Sequence, residues 1–493
     1  MCVVLQSRTR FYYALSNLGR TVFYSFFTGF LLSFVLYTRS LTTAQFSAVS
    51  VVLVAGRVFD AVIDPFIGGL IANTRSRFGR FKPWIFAGMV LGSAGMILTF
   101  ALPLQGWAFV ALLVAGNLAF SVFYSINDIA YWAMLPGLGA APDDRAKLMS
   151  LTTLLGGVGG ALAFGLTPVL TNGKLALGGS AVIAFPLLAV AASVMMCCMQ
   201  SISLLGVKES GAAPLEADAN EPRLRLGSLL RAVLRNDQLM WSGLGLSMHS
   251  LASGILSSGL SALFIYMRFG YAGILAPLAT AGVALGGFAA NGLIPRLHGK
   301  YGRARTMKMA LTVFLASSAF VLATGLLIPD SARTLQFVTF AAGLTVGGFG
   351  LNCIYITLLI CMMNTVEYNQ YKTGKRQESI VLSVRPFLNQ LGSALTGGIV
   401  TLIFLLLGLL PVTNGISDAE NAAAAGTISE ALKLDRIAAL LSGANAAQVK
   451  LLLAALIVLP CLFLSFGVLV WRRKYTIDEA RYQEITEAIA NGQ

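Results

Sequence analysis

Long apolar stretches alternate with short polar gaps along the whole chain, and this pattern predicts the elements of the structure. An α-helix rises about 1.5 Å per residue, so roughly 20 apolar residues cross the hydrocarbon core of a bilayer. Twelve stretches are long enough, near 11–37, 43–72, 84–104, 107–135, 147–171, 178–206, 238–267, 274–295, 309–329, 334–366, 379–411 and 449–471. The pattern predicts an all-α, multi-pass protein of the cell membrane with twelve transmembrane helices.

The predicted spans form two sets of six on either side of a polar segment rich in Ala, Glu and Pro. Such composition is typical of a linker. We therefore expect an N-terminal six-helix bundle at 1–206, which carries a cation site, and a cytoplasmic linker at 207–237. A C-terminal six-helix bundle at 238–471 and a cytoplasmic tail at 472–493 would complete the chain.

Short sequence echoes relate the two predicted bundles. The residues RFGR at 77–80 follow the second span, and KYGR at 300–303 follows the eighth span, 223 residues later. In the same way, GGAL at 159–162 matches GSAL at 392–395. Two related six-helix halves are the architecture of the major facilitator fold, in which substrate binds between the halves near mid-membrane.

Composition supports a membrane protein, since 56% of the 493 residues are hydrophobic and 11% are charged, with a mean hydropathy of +0.77. The net charge of +14 lies in the short gaps and not on one soluble module, which excludes a nucleic-acid-binding domain. Outside the predicted spans, 25 Lys and Arg residues lie on one side and 6 on the other. This asymmetry predicts cytoplasmic termini. We expect the first span, and not a cleaved signal, to direct insertion.

The polar stretch before the last span contains TISEALKLDRIAALLSG at 427–443, whose apolar residues have helical spacing. We expect a short surface helix there.

A few charges remain inside the apolar spans. They are Arg20, Arg57 and Arg385 among the basic residues, and Asp60, Asp64 and Asp128 among the acidic ones. An intramembrane carboxylate costs about 3 kcal/mol on insertion scales and is found mainly where it faces a polar cavity or a partner. These residues are therefore candidates for function.

Asp60 and Asp64 are four residues apart and share one helix face, which Arg57 joins. At about 6 Å, two carboxylates repel by about 3 kcal/mol at an effective dielectric constant of 20. A proton on one carboxylate, or a Na⁺ shared by both, would relieve this repulsion. The alternative is a static salt bridge between Arg57 and Asp60, which leaves the second carboxylate unexplained.

Asp128 and Trp132 are also four residues apart, near the end of the fourth span. A carboxylate beside an aromatic plane suits the hydroxyls and the apolar face of a sugar ring. The alternative is a Trp in the interfacial belt next to a helix-end carboxylate. Arg385 precedes Pro386, and we expect it to face the central cavity or to pair with an aspartate of the opposite half.

An intramembrane enzyme would need a nucleophile–base pair or a set of metal ligands. The two histidines, His249 and His298, are isolated, and none of the six cysteines forms a CxxC pair. The sequence predicts neither catalytic residues nor a cofactor, and no metal beyond a possible Na⁺ at Asp60 and Asp64.

Three stretches together resemble the glycoside–pentoside–hexuronide:cation symporter family. They are DAVIDPFIGGLIANTRSRFGRFKPW in the first half, NDIAYWAMLP at the end of the fourth span, and NTVEYNQYKTGKRQES in the second half. The matches occur in order and cover essentially the whole chain. The resemblance implies a major facilitator fold and cation-coupled sugar import by alternating access.

The resemblance also assigns residues. It implies cation binding by Asp60, Asp64 and Ser125, and sugar binding by Asp128 and Trp132. It places four further residues on substrate-facing cavity positions, namely Arg20, Tyr124, Tyr355 and Arg385.

Departures from the family pattern concern mostly the sugar site. Thr21 stands where some members have a second sugar-binding aspartate, while Thr153 and Gln390 replace basic residues. Ile63 stands where sodium users often have a polar side chain, which favours H⁺ over Na⁺ as the coupling ion. Galactoside specificity is therefore not implied.

We expect a symporter of a small sugar-like substrate that functions as a monomer among membrane lipids, without nucleic-acid partners. The alternative function is cation-coupled transport of a lipid-like or other non-sugar solute on the same scaffold.

Overall fold

The computed structural model describes residues 7–138, 142–207, 236–374 and 378–490, and the predicted linker lies almost wholly outside them. The described part is built of helices and short connections. The helices are α1 (Ser7–Thr38), α2 (Thr43–Ala72), α3 (Lys82–Ala101), α4 (Gly106–Leu138), α5 (Pro142–Thr171), α6 (Ala181–Gly206), α7 (Asp237–Leu256), α8 (Gly259–Phe269), α9 (Leu275–Leu327), α10 (Arg333–Met363), α11 (Thr365–Thr373), α12 (Glu378–Leu406), α13 (Leu410–Ala424), α14 (Glu430–Ser442), α15 (Ala446–Lys474) and α16 (Glu479–Ala490).

Each predicted span has a helical counterpart. Within the described residues, 10 helical stretches are long and apolar enough to cross a membrane, and the bent pair of α12 and α13 adds an eleventh. Helix α9 has 53 residues, about 80 Å at 1.5 Å per residue, which is more than twice the hydrocarbon thickness. It is broken at Gly302 (φ 74°, ψ 165°) and therefore supplies two spans.

The first compact unit comprises residues 1–222 together with Tyr271–Pro277 and Leu410–Gly443. Inside it, α1 packs against α5 and α6, while α4 packs against α2 and α3. Glycines allow these helices to approach closely, since a Cβ on Gly88 of α3 would lie 2.5 Å from the carbonyl oxygen of Phe123 on α4. In a membrane, where lipid competes for apolar contacts, such close packing holds helices together.

The second unit comprises residues 223–270, 278–409 and 444–493. Helix α7 lies at its centre and packs against α10, α12 and α15. At the cytoplasmic end expected from the charge pattern, α16 packs on α11. The carboxylate of Glu479 accepts hydrogen bonds from the amide and the guanidinium Nε of Arg303, at 2.7 Å and 3.0 Å.

Two segments predicted as parts of the C-terminal bundle cluster with the first unit, namely Tyr271–Pro277 and Leu410–Gly443. The predicted surface helix at 427–443 is confirmed as α14. Helix α13 precedes it and was not predicted, because its buried face includes Thr413, Ser417 and Glu420. These polar side chains interrupt the apolar Leu410, Ile416 and Ala419 on the buried face, so the hydrophobic pattern does not reveal the helix.

Candidate functional site

The two carboxylates of α2 lie on one face of the helix, as predicted. The guanidinium Nη1 of Arg57 is 4.0 Å from Oδ2 of Asp60, which is longer than a direct charge-assisted hydrogen bond of about 2.8 Å. Oδ1 of Asp60 is buried and accepts no hydrogen bond from the described residues. Asp64 is half-buried one turn further along the helix. Arg57 therefore satisfies Asp60 incompletely.

A hydroxyl on α4 also lies near Asp60. It belongs to Ser121, a buried residue one turn before Ser125. Ser125 is partly buried on the same helix, four residues further along. The family resemblance implied a role for Ser125 but not for Ser121, although the spacing of four residues puts both hydroxyls on one side of α4.

Arg20 and Asp128 form an ion pair that joins α1 to α4. The side chain of Arg20 is 1% exposed, whereas that of Asp128 is 40% exposed. The guanidinium of Arg20 is thus buried inside the bundle, whereas the carboxylate of Asp128 remains accessible. An accessible carboxylate held in place by a buried cation can accept hydrogen bonds from a polar ligand.

Arg20 is held in place by side-chain amides that were not predicted from the sequence. Its Nε donates to Oδ1 of Asn127 at 3.0 Å, and its Nη1 donates to Oδ1 of Asn17 at 3.1 Å. Asn127 also exchanges two amide hydrogen bonds of 2.9 Å with Gln200 of α6. This network fixes the arginine, and the signal for it was the polar residues that neighbour Arg20 and Asp128 within otherwise apolar spans.

Aromatic side chains surround the same ion pair. The guanidinium of Arg20 lies 4.0 Å from the ring centroid of Tyr131 and 5.9 Å from that of Tyr124. Tyr124 stacks on Tyr24 with a centroid distance of 4.8 Å. Trp132 is partly buried and meets Tyr131 edge to face at 5.5 Å. The predicted cavity residues Arg20, Tyr124, Asp128 and Trp132 therefore belong to one neighbourhood.

The remaining predicted site residues belong to the second unit. Tyr355 lies on α10, and its ring centroid is 5.2 Å from the ring of His249 on α7. His249 is buried, and its Nε2 is 3.1 Å from the carbonyl oxygen of Leu351, in agreement with a structural role. Arg385 lies within α12, but its side chain is outside the described part of the structure.

The comparisons identify the family. Residues 12–479 match the family model described as "MFS/sugar transport protein", so the chain belongs to this family. That membership confirms the prediction of a major facilitator fold and places the chain in a family of transport proteins and not of enzymes. The named relatives place the chain within the glycoside–pentoside–hexuronide:cation symporter group, as its motifs indicated.

Curated relatives include a lactose permease of Lactobacillus helveticus, 26% identical over 422 residues that cover 80% of this chain and 62% of the relative. A raffinose carrier protein of Pediococcus pentosaceus is 28% identical over 426 residues, covering 81% of this chain and 62% of the relative. The chain thus spans about three fifths of the length of these relatives.

Solved structures share the fold at low sequence identity. A bacterial homologue of the human lysosomal transporter Spinster, in an inward-facing and unoccupied conformation, matches with a TM-score of 0.58 and 15% identity over 95% of this chain and 96% of that one. A variant of the nucleoside transporter NupG matches with a TM-score of 0.58 and 14% identity over 85% and 100%. At these identities the likeness concerns the fold alone.

Proposed function

We propose that the protein is a symporter that imports a sugar or glycoside together with a cation by alternating access. The observation that carries the proposal is the carboxylate of Asp60 within an apolar helix. Its Oδ1 is buried without a hydrogen bond from the described residues, and Arg57 is 4.0 Å from the other oxygen. Since such a group costs about 3 kcal/mol in a membrane, a mobile cation is the partner that explains it.

The cation would bind to groups from two helices of the first unit. Asp60 and Asp64 supply carboxylates from α2, and Ser121 and Ser125 supply hydroxyls on α4. A proton needs only one carboxylate to accept it, whereas Na⁺ needs several oxygen ligands around it. Because Ile63 removes one candidate oxygen donor, H⁺ is the favoured coupling ion and Na⁺ the alternative.

The sugar would bind beside α1 and α4. Asp128 has an accessible carboxylate that Arg20 orients, and such a carboxylate accepts hydrogen bonds from hydroxyls. Trp132 offers an aromatic face one turn away, and Tyr124 lies on the preceding turn of α4. Tyr355 and Arg385 are further substrate-binding candidates from the second unit. Relatives named for lactose and raffinose support a sugar as the class of substrate.

The proposed topology has both termini and the linker in the cytoplasm, and the functional unit is a monomer. The topology is supported by the distribution of basic residues outside the spans, with 25 on the side of the termini and 6 on the opposite side. Cysteines introduced into the linker should react with a membrane-impermeant thiol reagent only after the cells are permeabilised. Labelling of intact cells would contradict this topology.

Uptake into proteoliposomes tests the proposed function. Radiolabelled sugars should accumulate against their gradient when an inward H⁺ gradient, or an inward Na⁺ gradient, is imposed separately. The Asp60→Asn, Asp64→Asn double variant, reconstituted to the same density, is the matched control. Accumulation by the double variant, or a wild-type protein that responds to neither ion, would refute a coupling role for these carboxylates.

A further inference from the structure

The segment that connects α12 to α15 packs with the first unit, although it lies within the second half of the sequence. Helices α12 and α15 are parts of the second unit, but the hairpin formed by α13 and α14 (Leu410–Gly443) clusters with the first unit. Under the topology proposed above, this hairpin lies on the outer side of the membrane.

A buried ion pair anchors the hairpin. Glu420 of α13 and Lys433 of α14 have side chains that are 0% exposed, with 3.4 Å between Oε2 and Nζ. The same carboxylate oxygen accepts a hydrogen bond of 2.8 Å from the amide of Ala181, at the N-terminus of α6. Lys433 donates a hydrogen bond of 2.7 Å to the carbonyl oxygen of Gly179. A charge pair without water is stable only when its remaining hydrogen bonds are made in this way.

Tyr271–Pro277, the other short segment of the first unit, contacts the same ion pair. The hydroxyl of Tyr271 lies 3.0 Å from Oε1 of Glu420 and 2.9 Å from Oδ1 of Asn172, which follows α5. A Cβ on Gly273 would lie 2.3 Å from the carbonyl oxygen of Pro168, so this segment is tightly seated. Glu420 thus joins three stretches of chain that are far apart in sequence.

The hairpin is also bonded to the end of α1. Asn414 exchanges two hydrogen bonds with the backbone of Leu41, of 3.0 Å from the Leu41 amide and 2.9 Å to its carbonyl oxygen. Asn421 donates to the carbonyl oxygen of Thr38 at 3.0 Å, and Ser40 donates to Asp418. Asn421 directly follows Glu420, but Asn414 lies nearly two helical turns before it, so the hairpin is attached at more than one place along α13.

Two short segments of chain join the hairpin to the second unit. Between α12 and α13 the helix axis bends by 93°, and Gly408 lies at the bend with φ 60°. On the other side, Gly443 to Asn445 separate α14 from α15. Glycine allows backbone conformations that other residues resist, so these two joints can change their dihedral angles at low cost.

From these observations we infer that the Leu410–Gly443 hairpin, with Tyr271–Pro277, moves as a part of the first unit during transport. The flexing positions then include the joints at 407–409 and 443–445, together with the two ends of Tyr271–Pro277. The inference rests on the proposed alternating-access function. If the inference is right, a segment from the second half of the sequence moves together with the first unit.

A cross-link provides the first test. Cysteines at Ser40 and Asp418, both exposed, would be joined by a disulfide or a short bifunctional thiosulfonate in a variant without the native cysteines. The cross-linked protein should transport at the rate of the same protein after reduction, because the bridge lies within one rigid body. Reductant-reversible loss of transport would overturn the inference, and the two single-cysteine variants control for modification alone.

Distances measured between spin labels provide a second test that needs no substrate. A label at Asp435 on the hairpin would be paired with Gln105 of the first unit or with Ser331 of the second, all of which are exposed. The 435–105 distance should stay single and narrow, while the 435–331 distance should be broad or change with ions and sugar. A broad 435–105 distribution, or two narrow ones under all conditions, would refute the inference. Failure of the sugar-uptake assay would refute the proposed function without affecting these distances.

Two glycines offer a matched pair for the joint itself. Gly408 (φ 60°) lies at the bend. Gly426 (φ 71°) lies inside the hairpin, and an added Cβ there would have no atom within 4 Å. Alanine at either site strains the backbone similarly. Only Gly408→Ala should slow transport, and an equal slowing by Gly426→Ala would show that the joint has no special role.

Discussion

Helix α2 and the first part of α9 are related stretches of the two halves, yet only α2 carries carboxylates. At the offset of 223 residues that aligns their terminal Gly-Arg turns, Asp60 corresponds to Val283 and Asp64 corresponds to Gly287. The two halves share a scaffold, and the proposed coupling site belongs to the first half alone. A duplicated fold therefore need not duplicate its chemistry.

Packing explains why α9 has no room for such a site. A Cβ on Gly286 would lie 2.0 Å from the carbonyl oxygen of Thr345, and a Cβ on Gly287 would lie 2.6 Å from the side chain of Asn352. Both neighbours lie on α10. In α2, a Cβ on Gly56 would likewise lie 2.4 Å from the side chain of Asn117 on α4, whereas Gly69 and its counterpart Gly292 both have open space around an added Cβ. Both halves thus use glycines for close helix contact, and at Val283 and Gly287, which correspond to the two carboxylates, α9 lies against α10.

The turns after these helices also differ. Gly79 and Gly302 both have positive φ, of 103° and 74°. After Gly302 the chain resumes as a helix at once, and Glu479 of α16 bonds to the amide of Arg303. After Gly79 the corresponding residue is Arg80, whose Nε is 3.4 Å from the carbonyl oxygen of Ile71. The C-terminal helix thus supplies an acid to this turn of the second half.

Neutralising the carboxylates of α2 should have the largest effect. In Asp60→Asn, sugar should equilibrate across the membrane and not accumulate, because no coupling ion is bound. The isosteric change Val283→Thr at the corresponding position of α9 should preserve accumulation. Uptake against a gradient in proteoliposomes measures both, and equal losses in the two variants would remove the distinction between the halves.

Breaking the Arg20–Asp128 pair should have the next largest effect. Asp128→Asn leaves a buried cation without its carboxylate, which costs about 3 kcal/mol, and it should also abolish sugar binding. Adding Arg20→Gln should restore much of the stability without restoring binding.

In the second unit, the corresponding contact between a first and a fourth helix is the neutral one from His249 to the Leu351 carbonyl. The control His249→Gln should therefore cost about 1 kcal/mol. Thermal unfolding and equilibrium sugar binding measure these effects. Unchanged affinity in Asp128→Asn would exclude Asp128 from the sugar site.

Alanine at the two turn glycines should lower stability without abolishing transport. Gly302 has φ 74° and ψ 165°, a conformation that costs other residues about 1–3 kcal/mol. Gly79→Ala should cost a similar amount, whereas Gly374→Ala, at a left-handed helix end with open space, should cost about 1 kcal/mol. The order of the melting temperatures in detergent tests this expectation, and a neutral Gly302→Ala would contradict it.

Replacing Glu479 should have the smallest effect, at most about 1 kcal/mol, because its side chain is 52% exposed. Partial burial raises the pKa of Glu479, but hydrogen bonds from the Arg303 amide and guanidinium outweigh it and hold the pKa below the ordinary 4.5. A lowered pKa in the folded state contributes stability above pH 4.5, and this contribution is lost as the pH falls through the folded-state pKa.

Glu479→Gln should therefore remove this acid-dependent part of the unfolding curve. Glu484→Gln, which breaks an exposed pair with Arg481, is the control and should leave the curve unchanged. Identical pH profiles in wild-type protein and Glu479→Gln would show that Glu479 contributes nothing.

The spans, the repeat and the intramembrane charges follow from the sequence alone. Apolar runs of membrane length and a carboxylate inside one of them are local properties, and a bilayer leaves few ways to satisfy them. The short helix α14 was predictable for the same reason, because its apolar residues recur at helical spacing. Family motifs then named Asp60, Asp64, Asp128 and Trp132, whose roles remain predictions.

The contacts between these residues, and the unit that each segment joins, depend on the tertiary structure. Arg20 and Asp128 are 108 residues apart, and their pairing depends on the packing of α1 against α4. Glu420 and Ala181 are 239 residues apart, and their contact assigns the outer hairpin to the first unit. Such contacts depend on how helices pack, and hydrophobic periodicity carries no information about which polar side chains will face each other across a buried interface.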